Sequence, residues 1–313
     1  MQNLDIVTSA RNEVLNLPLL VDSIANTLKD EDYSWRLIIS DNASTDGTWT
    51  EILRLSNEYP NIIGLRLSKD FGFEGSITAA LSQTDADVVL MMASDLQDSP
   101  SLIPKFLRKY EEGFDHVFQI VEKRPGVSFL RNFNSKIFYW FAEKFSDGTI
   151  QRNSSTYRLI TREVRNSLMQ LEESNRFIRA LVSWVGYNSI GIPLPRNERL
   201  EGKSKARTRT VFSYALKGIM ANSTTLLDFV GILGLVVSLV SLTATVIFSA
   251  IWIIHGVPYA GFGTVAGSIF LGFGLIFLCL GVIAQYLSLV YQEVKNRPNY
   301  IIREKCGNGK PLS

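Results

Sequence analysis

Residues 87 to 100 read "DVVLMMASDLQDSP". The apolar run from Val88 to Met92 is short enough to be a buried strand, and Ser99-Pro100 opens a helical pattern with Leu102, Ile103, Phe106 and Leu107 on one face. Asp95 and Asp98 then stand at the carboxyl end of a strand. Asp98 also suits a cap for the helix that starts at Pro100.

Outward from this stretch, strand and helix alternate over residues 1 to about 123. Strands are expected at Leu4 to Ser9, Trp35 to Ser40, Ile62 to Ser68, Asp87 to Ser94 and His116 to Val121. Between them lie helical faces such as Leu17, Leu20, Val21, Ile24 and Leu28, or Trp49, Ile52 and Leu53 after the turn Ser44-Thr45-Asp46-Gly47. This alternation predicts an α/β fold, a mostly parallel sheet with right-handed crossovers and helices on both faces.

Open sheets of this kind bind ligands at the carboxyl ends of their strands. Here those ends read Ser9-Ala10-Arg11-Asn12-Glu13, Asp41-Asn42-Ala43-Ser44, Lys69-Asp70-Phe71-Gly72 and Ser94-Asp95-Leu96-Gln97-Asp98, an edge that gathers carboxylates and amides. No G-x-G-x-x-G follows the first strand and no G-x-x-x-x-G-K-[ST] occurs, so a glycine cradle for phosphates is excluded. A carboxylate-lined edge accepts a diphosphate through a bridging Mg²⁺ or Mn²⁺, hard cations that take oxygen ligands. Asp95 and Gln97, two residues apart, can supply such oxygens.

The chain has 313 residues and 46% hydrophobic composition, unevenly distributed. Residues 226 to 254 and 262 to 291 are almost wholly apolar, and each exceeds the roughly 20 residues that cross a bilayer. A transmembrane hairpin over 226–291 is expected, turning at His255-Gly256-Val257-Pro258. Lys203, Lys205, Arg207, Arg209 and Lys217 precede it and Lys295, Arg297, Arg303 and Lys305 follow it, which puts both termini in the cytoplasm. The expected layout is a catalytic domain over 1–210, a juxtamembrane helix over 211–225, the hairpin, and a cytoplasmic tail over 292–313 in a multi-pass protein of the plasma (inner) membrane. The start lacks the pattern of a signal peptide. Cys279 and Cys306, one in a span and one in the tail, predict no disulfide, and two His with two separated Cys argue against zinc. Net charge of +2 says nothing of partners, and no nucleic acid is expected. Residues 127–145 mix Phe129, Phe133, Phe138, Trp140 and Phe141 with Arg131, Lys136 and Lys144, as a helix at the headgroup boundary does.

These residues resemble family 2 glycosyltransferases with the GT-A fold, in particular the polyprenyl-phosphate branch with bactoprenol glucosyltransferases and dolichol-phosphate mannose synthase. "VTSARNE" resembles P-x-Y-N-E, "DNASTDGT" resembles D-D-G-S-x-D-x-T, and "ASDLQDSP" resembles D-A-D-L-Q-D-P-P. "LSKDFGFEGSITAAL", "RFIRALVSWVGY", the spacing Arg196-x-x-Arg199-x-x-Gly202-x-Ser204-Lys205 and "YQEVKNRPNYIIREK" extend the likeness over nearly the whole chain.

The resemblance implies that Ala10, Asn12, Glu13, Asp41, Ser44, Lys69, Gly72 and Ser94 surround the nucleotide and that Asp95 and Gln97 hold Mg²⁺ or Mn²⁺. Catalytic roles fall to Asp95, Asp98, Arg199 and Lys205, with Arg131, Ser204 and Lys205 on the acceptor phosphate. Two departures stand out: Ala93 replaces the first acid of D-x-D, and Thr156 in "NSSTYR" replaces an acid of N-T-G-D-F-R. Thr cannot act as a carboxylate base, so either the acceptor phosphate attacks unaided, the favoured route, or an acid such as Asp98 assists. The implied activity is inverting transfer from a UDP-sugar to undecaprenyl phosphate. Its partners are the nucleotide sugar, the polyprenyl lipid, the bilayer, a second copy of the chain and a flippase. The competing readings are a catalytically weakened membrane scaffold and a processive polysaccharide synthase.

Overall fold

The computed structural model describes residues 2–121, 154–173, 176–195, 262–307 and 310–311, with scattered positions between 230 and 254. Its strands are β1 (Gln2–Ala10), β2 (Tyr33–Asp41), β3 (Ile62–Leu67), β4 (Val88–Met91), β5 (His116–Val121), β6 (Ser154–Thr161), β7 (Ser189–Leu194), β8 (Ile302–Gly307) and β9 (Lys310–Pro311). They form one sheet in the order β7-β5-β6-β4-β1-β2-β3-β8-β9. The helices are α1 (Asn16–Leu28), α2 (Thr48–Glu58), α3 (Gly72–Leu81), α4 (Ile103–Glu111), α5 (Arg162–Gln170), α6 (Ile178–Trp184) and α7 (Phe262–Lys295).

The α/β class and the five expected strands are present, but the sheet is mixed. β3, β2, β1 and β4 run parallel, as does the pair β5–β7, whereas β6 lies antiparallel to β4 and β5, and β8 antiparallel to β3. The β/α alternation that supports a parallel reading ends after β5. The later strands return to the sheet by other routes, and β8 comes from the far side of α7.

Strand alternation assigns each side chain to one of two layers. Leu4, Ile6, Leu37, Ile39, Val88 and Leu90 pack against α1, α2 and α4. Val7, Ile38, Leu65, Val89 and Met91 pack against α3, α5 and α6. With both faces covered, the central strands are largely apolar, as buried parallel strands are. Their buried polar residues include Asp5, 1% exposed on β1, whose oxygens accept Arg36 Nε at 2.8 Å and Nη2 at 2.7 Å.

Two compact units are distinguished: residues Met1–Val211 with Arg297–Ser313, and Phe212–Asn296. Strand β8 belongs to the first, although the sequence reading set it in a tail beyond the membrane helices. A glycine makes room for it, since a Cβ on Gly64 would stand 2.6 Å from Cys306 Sγ. In the second unit α7 has exposed apolar residues along its length, and Gly272–Lys295 is long and apolar enough to cross a membrane. Of the expected first span, the positions described between 230 and 254 are helical, and the rest lie outside the described residues. The amphipathic segment 127–145 and the juxtamembrane segment 211–225 also lie outside them.

Candidate active site

Each of the four parallel strands is followed by a residue in the left-handed region: Asn12 (φ 56°), Ala43 (φ 55°), Gly72 (φ 74°) and Leu96 (φ 57°). For Ala and Leu this conformation is costly, and such strain persists where surrounding bonds enforce it, typically at functional sites. The bonds are visible. Asn12 donates its N–H to Ser44 Oγ at 2.9 Å and accepts the Thr45 N–H on Oδ1 at 2.8 Å, tying the β1 end to the β2 end. Asn42 continues the line, donating Nδ2 to Asp70 Oδ1 at 2.7 Å and accepting the Phe71 N–H at 2.9 Å, which fixes the β3 end. Arg11 pairs with Asp70 across the same edge.

Asp41, the last residue of β2, is fully buried. Its Oδ1 accepts the Ser44 N–H at 3.0 Å, while Oδ2 has no hydrogen-bond partner among the described residues. Burial raises its pKa, opposed by the hydrogen bonds from Ser44 and the charge of Arg66. A buried carboxylate oxygen left open is expensive, and a ligand N–H or O–H would satisfy it.

Beyond β4 the loop alternates. Ser94, Leu96 and Asp98 turn inward, whereas Ala93, Asp95 and Gln97 are half-buried on the open side. Ser94 Oγ donates to the Ser9 carbonyl at 2.9 Å, and Asp98 Oδ2 accepts the Ala93 N–H at 3.1 Å. Asp98 is therefore a loop-closing acceptor, not the helix cap expected from sequence; Ser99 holds the N-cap position before the 3-10 turn Pro100–Leu102 that leads into α4. Asp98 is fully buried. Tyr157 braces the loop from β6, donating its hydroxyl to the Ser99 carbonyl at 3.0 Å.

Asp95 and Gln97 thus share one face, with the Gln97 N–H donating to Asp95 Oδ1 at 3.3 Å. One carboxylate and one amide oxygen fit a hard cation whose remaining positions are taken by diphosphate and water oxygens. Among the described residues no group of three His, Cys, Asp or Glu could hold a metal alone.

Ala10 closes β1, and its carbonyl accepts the Asn42 N–H at 2.9 Å. Glu13 Oε2 accepts Asn16 Nδ2 at 2.6 Å, its carbonyl accepts the Asn16 and Leu17 N–H groups, and its own N–H donates to Thr48 Oγ1 at 3.0 Å. Lys69 is exposed, 5.0 Å over the Phe71 ring. Arg131, Arg199, Ser204 and Lys205 lie outside the described residues.

Thr156 shares a small cavity with Glu74, Arg158 and Arg179. Arg158 is fully buried and donates to the Ser155 carbonyl at 2.8 Å; burial, then the charge of Arg179, pulls its pKa down to about 9. The surroundings of the replaced acid are thus cationic, a feature absent from the sequence reading. Asn42 and Arg66 likewise act through contacts that join segments far apart in the chain.

The model of glycosyl transferase family 2 matches residues 5–169, which contain all four strand ends. The chain belongs to this family. Among its relatives are an uncharacterized glycosyltransferase of Synechocystis sp., 32% identical over 97% of this chain and 96% of that one, and the bactoprenol glucosyl transferase of Shigella phage SfII, 30% identical over 98% and 99%. The putative glycosyltransferase CsbB of Bacillus subtilis is 30% identical over 96% and 91%. A solved structure similar to it is glucosyl-3-phosphoglycerate synthase of Mycobacterium tuberculosis in complex with Mn²⁺, UDP-glucose and phosphoglyceric acid, with a TM-score of 0.49 and 17% identity over 72% of this chain and 79% of that one.

Proposed function

We propose that this family 2 enzyme transfers a sugar, with inversion, from a UDP-linked donor to the phosphate of a polyprenyl lipid such as undecaprenyl phosphate, at the cytoplasmic face of the plasma membrane. The observation that carries the reading is the edge where Asp41 Oδ2 stands open and Asp95 and Gln97 share one outward face. Near-full-length similarity to proteins named bactoprenol glucosyl transferase supports the lipid acceptor, and the exposed apolar surface of α7 supports membrane attachment. A second span over 226–254 completes the multi-pass arrangement.

In this reading Asp41 accepts a hydrogen bond from the base or ribose, and the rigid ends of β1 to β3 fix the nucleotide's position. Asp95 and Gln97 hold Mg²⁺ or Mn²⁺, which when bound neutralises charge on the leaving diphosphate. Thr156 supplies no base, and none is required: a phosphate monoester is largely deprotonated at pH 7 and is itself the nucleophile. Arg131, Arg199, Ser204 and Lys205 are assigned to the phosphates, where guanidinium forks suit paired oxygens. Catalysis in this reading is mostly electrostatic, with in-line positioning of the two phosphates beside it.

The test is incubation of the purified full-length chain with undecaprenyl phosphate, Mg²⁺ or Mn²⁺ and a panel of labelled nucleotide sugars. A single-sugar lipid product is expected. Nucleotide binding with no lipid product from any donor would favour the scaffold reading that Ala93 and Thr156 motivate, and long products would favour a processive synthase.

A further inference from the structure

Asp41 on β2, Arg66 on β3 and Glu304 on β8 are direct cross-strand partners, forming one row over three neighbouring strands. Residues so placed interact side by side. Arg66 Nη1 donates to Glu304 Oε1 at 3.0 Å, while Arg66 Nε stands 3.9 Å from Asp41 Oδ2. The first distance is a hydrogen-bonded ion pair, the second an attraction without a hydrogen bond. Glu304 is itself anchored, because Trp49 Nε1 donates to its Oε2 at 3.0 Å, and the Trp49 ring lies 5.8 Å from the Arg66 guanidinium.

The guanidinium therefore has two carboxylates to choose from and is held by the outer one. The fully buried Asp41 gains its attraction and keeps Oδ2 open. Were the outer carboxylate neutral, its charge would no longer hold Arg66 from closing onto Asp41, since charge-assisted bonds shorten readily. Arg66 would then occupy the acceptor that the nucleotide needs.

We propose that Glu304, on the strand that follows the membrane helix, is a positioning residue for the donor site: it holds Arg66 off Asp41 and so keeps Asp41 Oδ2 available to an N–H or O–H of the nucleoside. The inference rests on the nucleotide reading of this edge. It makes Arg66 a competitor of the ligand rather than a ligand contact, and this distinguishes it from a role in fastening β8 alone.

The experiment measures UDP binding with Mn²⁺ by titration calorimetry on the full-length protein in detergent, for wild type, Glu304→Gln, Arg66→Met and the double variant. Glu304→Gln keeps size and an acceptor for Trp49 but loses the charge, and is expected to weaken UDP about tenfold, the scale of one hydrogen bond to a charged group. Arg66→Met alone should bind within about threefold of wild type, and Arg66→Met added to Glu304→Gln should restore binding to that range. In turnover the loss should appear in the donor KM, with kcat unchanged. Wild-type affinity in Glu304→Gln, or a double variant no better than Glu304→Gln, overturns the proposal. Should Glu304→Gln fail to fold, weakened binding by Arg66→Met alone overturns it equally. A wild type that binds no UDP overturns the nucleotide reading and this role with it, whereas wild-type binding with indifferent variants removes the role of Glu304 alone.

Discussion

The carboxylate of Asp98 closes the loop after β4 by accepting the backbone N–H of Ala93 at 3.1 Å. Through that bond a fully buried acid fixes the backbone that carries Asp95 and Gln97. Asp98→Ala is expected to cost about 1.5 to 3 kcal/mol of stability, the scale of a hydrogen bond to a charged group, and to weaken metal-dependent nucleotide binding. Asp98→Asn keeps an acceptor and should recover much of both, measured by thermal unfolding and UDP titration. Loss of turnover in Asp98→Asn with binding and stability intact would instead make Asp98 a base.

Asp95 is half-buried in the same loop. Asp95→Ala should leave the melting temperature nearly unchanged while lowering transfer about a hundredfold or more, as removal of a group that stabilises developing charge does. Metal-dependent UDP binding should fall in parallel. Full activity in this variant would remove the metal site from the loop.

A structural prediction concerns β1. Arg36 is the bidentate partner of the buried Asp5, and Asp85 shares it from the surface. Arg36→Ala would strand a carboxylate in the interior, and because Arg36 itself is partly exposed the loss is expected to be about 2 to 3 kcal/mol, below the range for a fully buried pair. Denaturant midpoints of the two proteins give the measurement.

His116 makes stability depend on pH. It is 2% exposed, neither ring nitrogen has a hydrogen-bond partner among the described residues, and burial followed by the charge of Arg158 lowers its pKa to about 2. The unfolded chain takes up this proton near pH 6.5 and the folded chain does not, so stability held above pH 6.5 is lost as pH falls towards 2. At pH 5.5 the loss from this group is about 1.4 kcal/mol. His116→Leu should flatten the difference in melting temperature between pH 7.5 and 5.5; an equal difference in both proteins would refute the assignment.

The strands that were legible in the sequence are those whose pattern is local. β1 to β5 are apolar runs separated by helical faces, and burial on both sides makes each run continuous. β8, "IREKCG", carries three consecutive charged residues, Arg303 to Lys305, and pairs antiparallel with β3, so nothing in its own composition ties it to β3. The site divides in the same way. Asp41, Asp95 and Gln97 are evident as polar residues at strand ends, whereas the inward turn of Asp98 depends on the loop around it, and its neighbour Ser99 takes the N-cap position that Asp98 also suits. Asn42 stands beside Asp41 in the sequence, but its work is to hold Asp70 and Phe71, which only the folded edge brings near.

The late strand β8 also has a timing. On a ribosome adding roughly 5 to 20 residues per second, the 235 residues that separate Leu67 from Ile302 take roughly 10 to 50 s. For that interval the outer edge of β3 offers unpaired backbone groups to any passing strand, and Glu304 has not yet reached Arg66. The helix α7 is synthesised before the sheet is closed. A chain still short of β8 lacks Glu304, so nascent protein completes the row of Asp41, Arg66 and Glu304 only after its apolar helix has been synthesised.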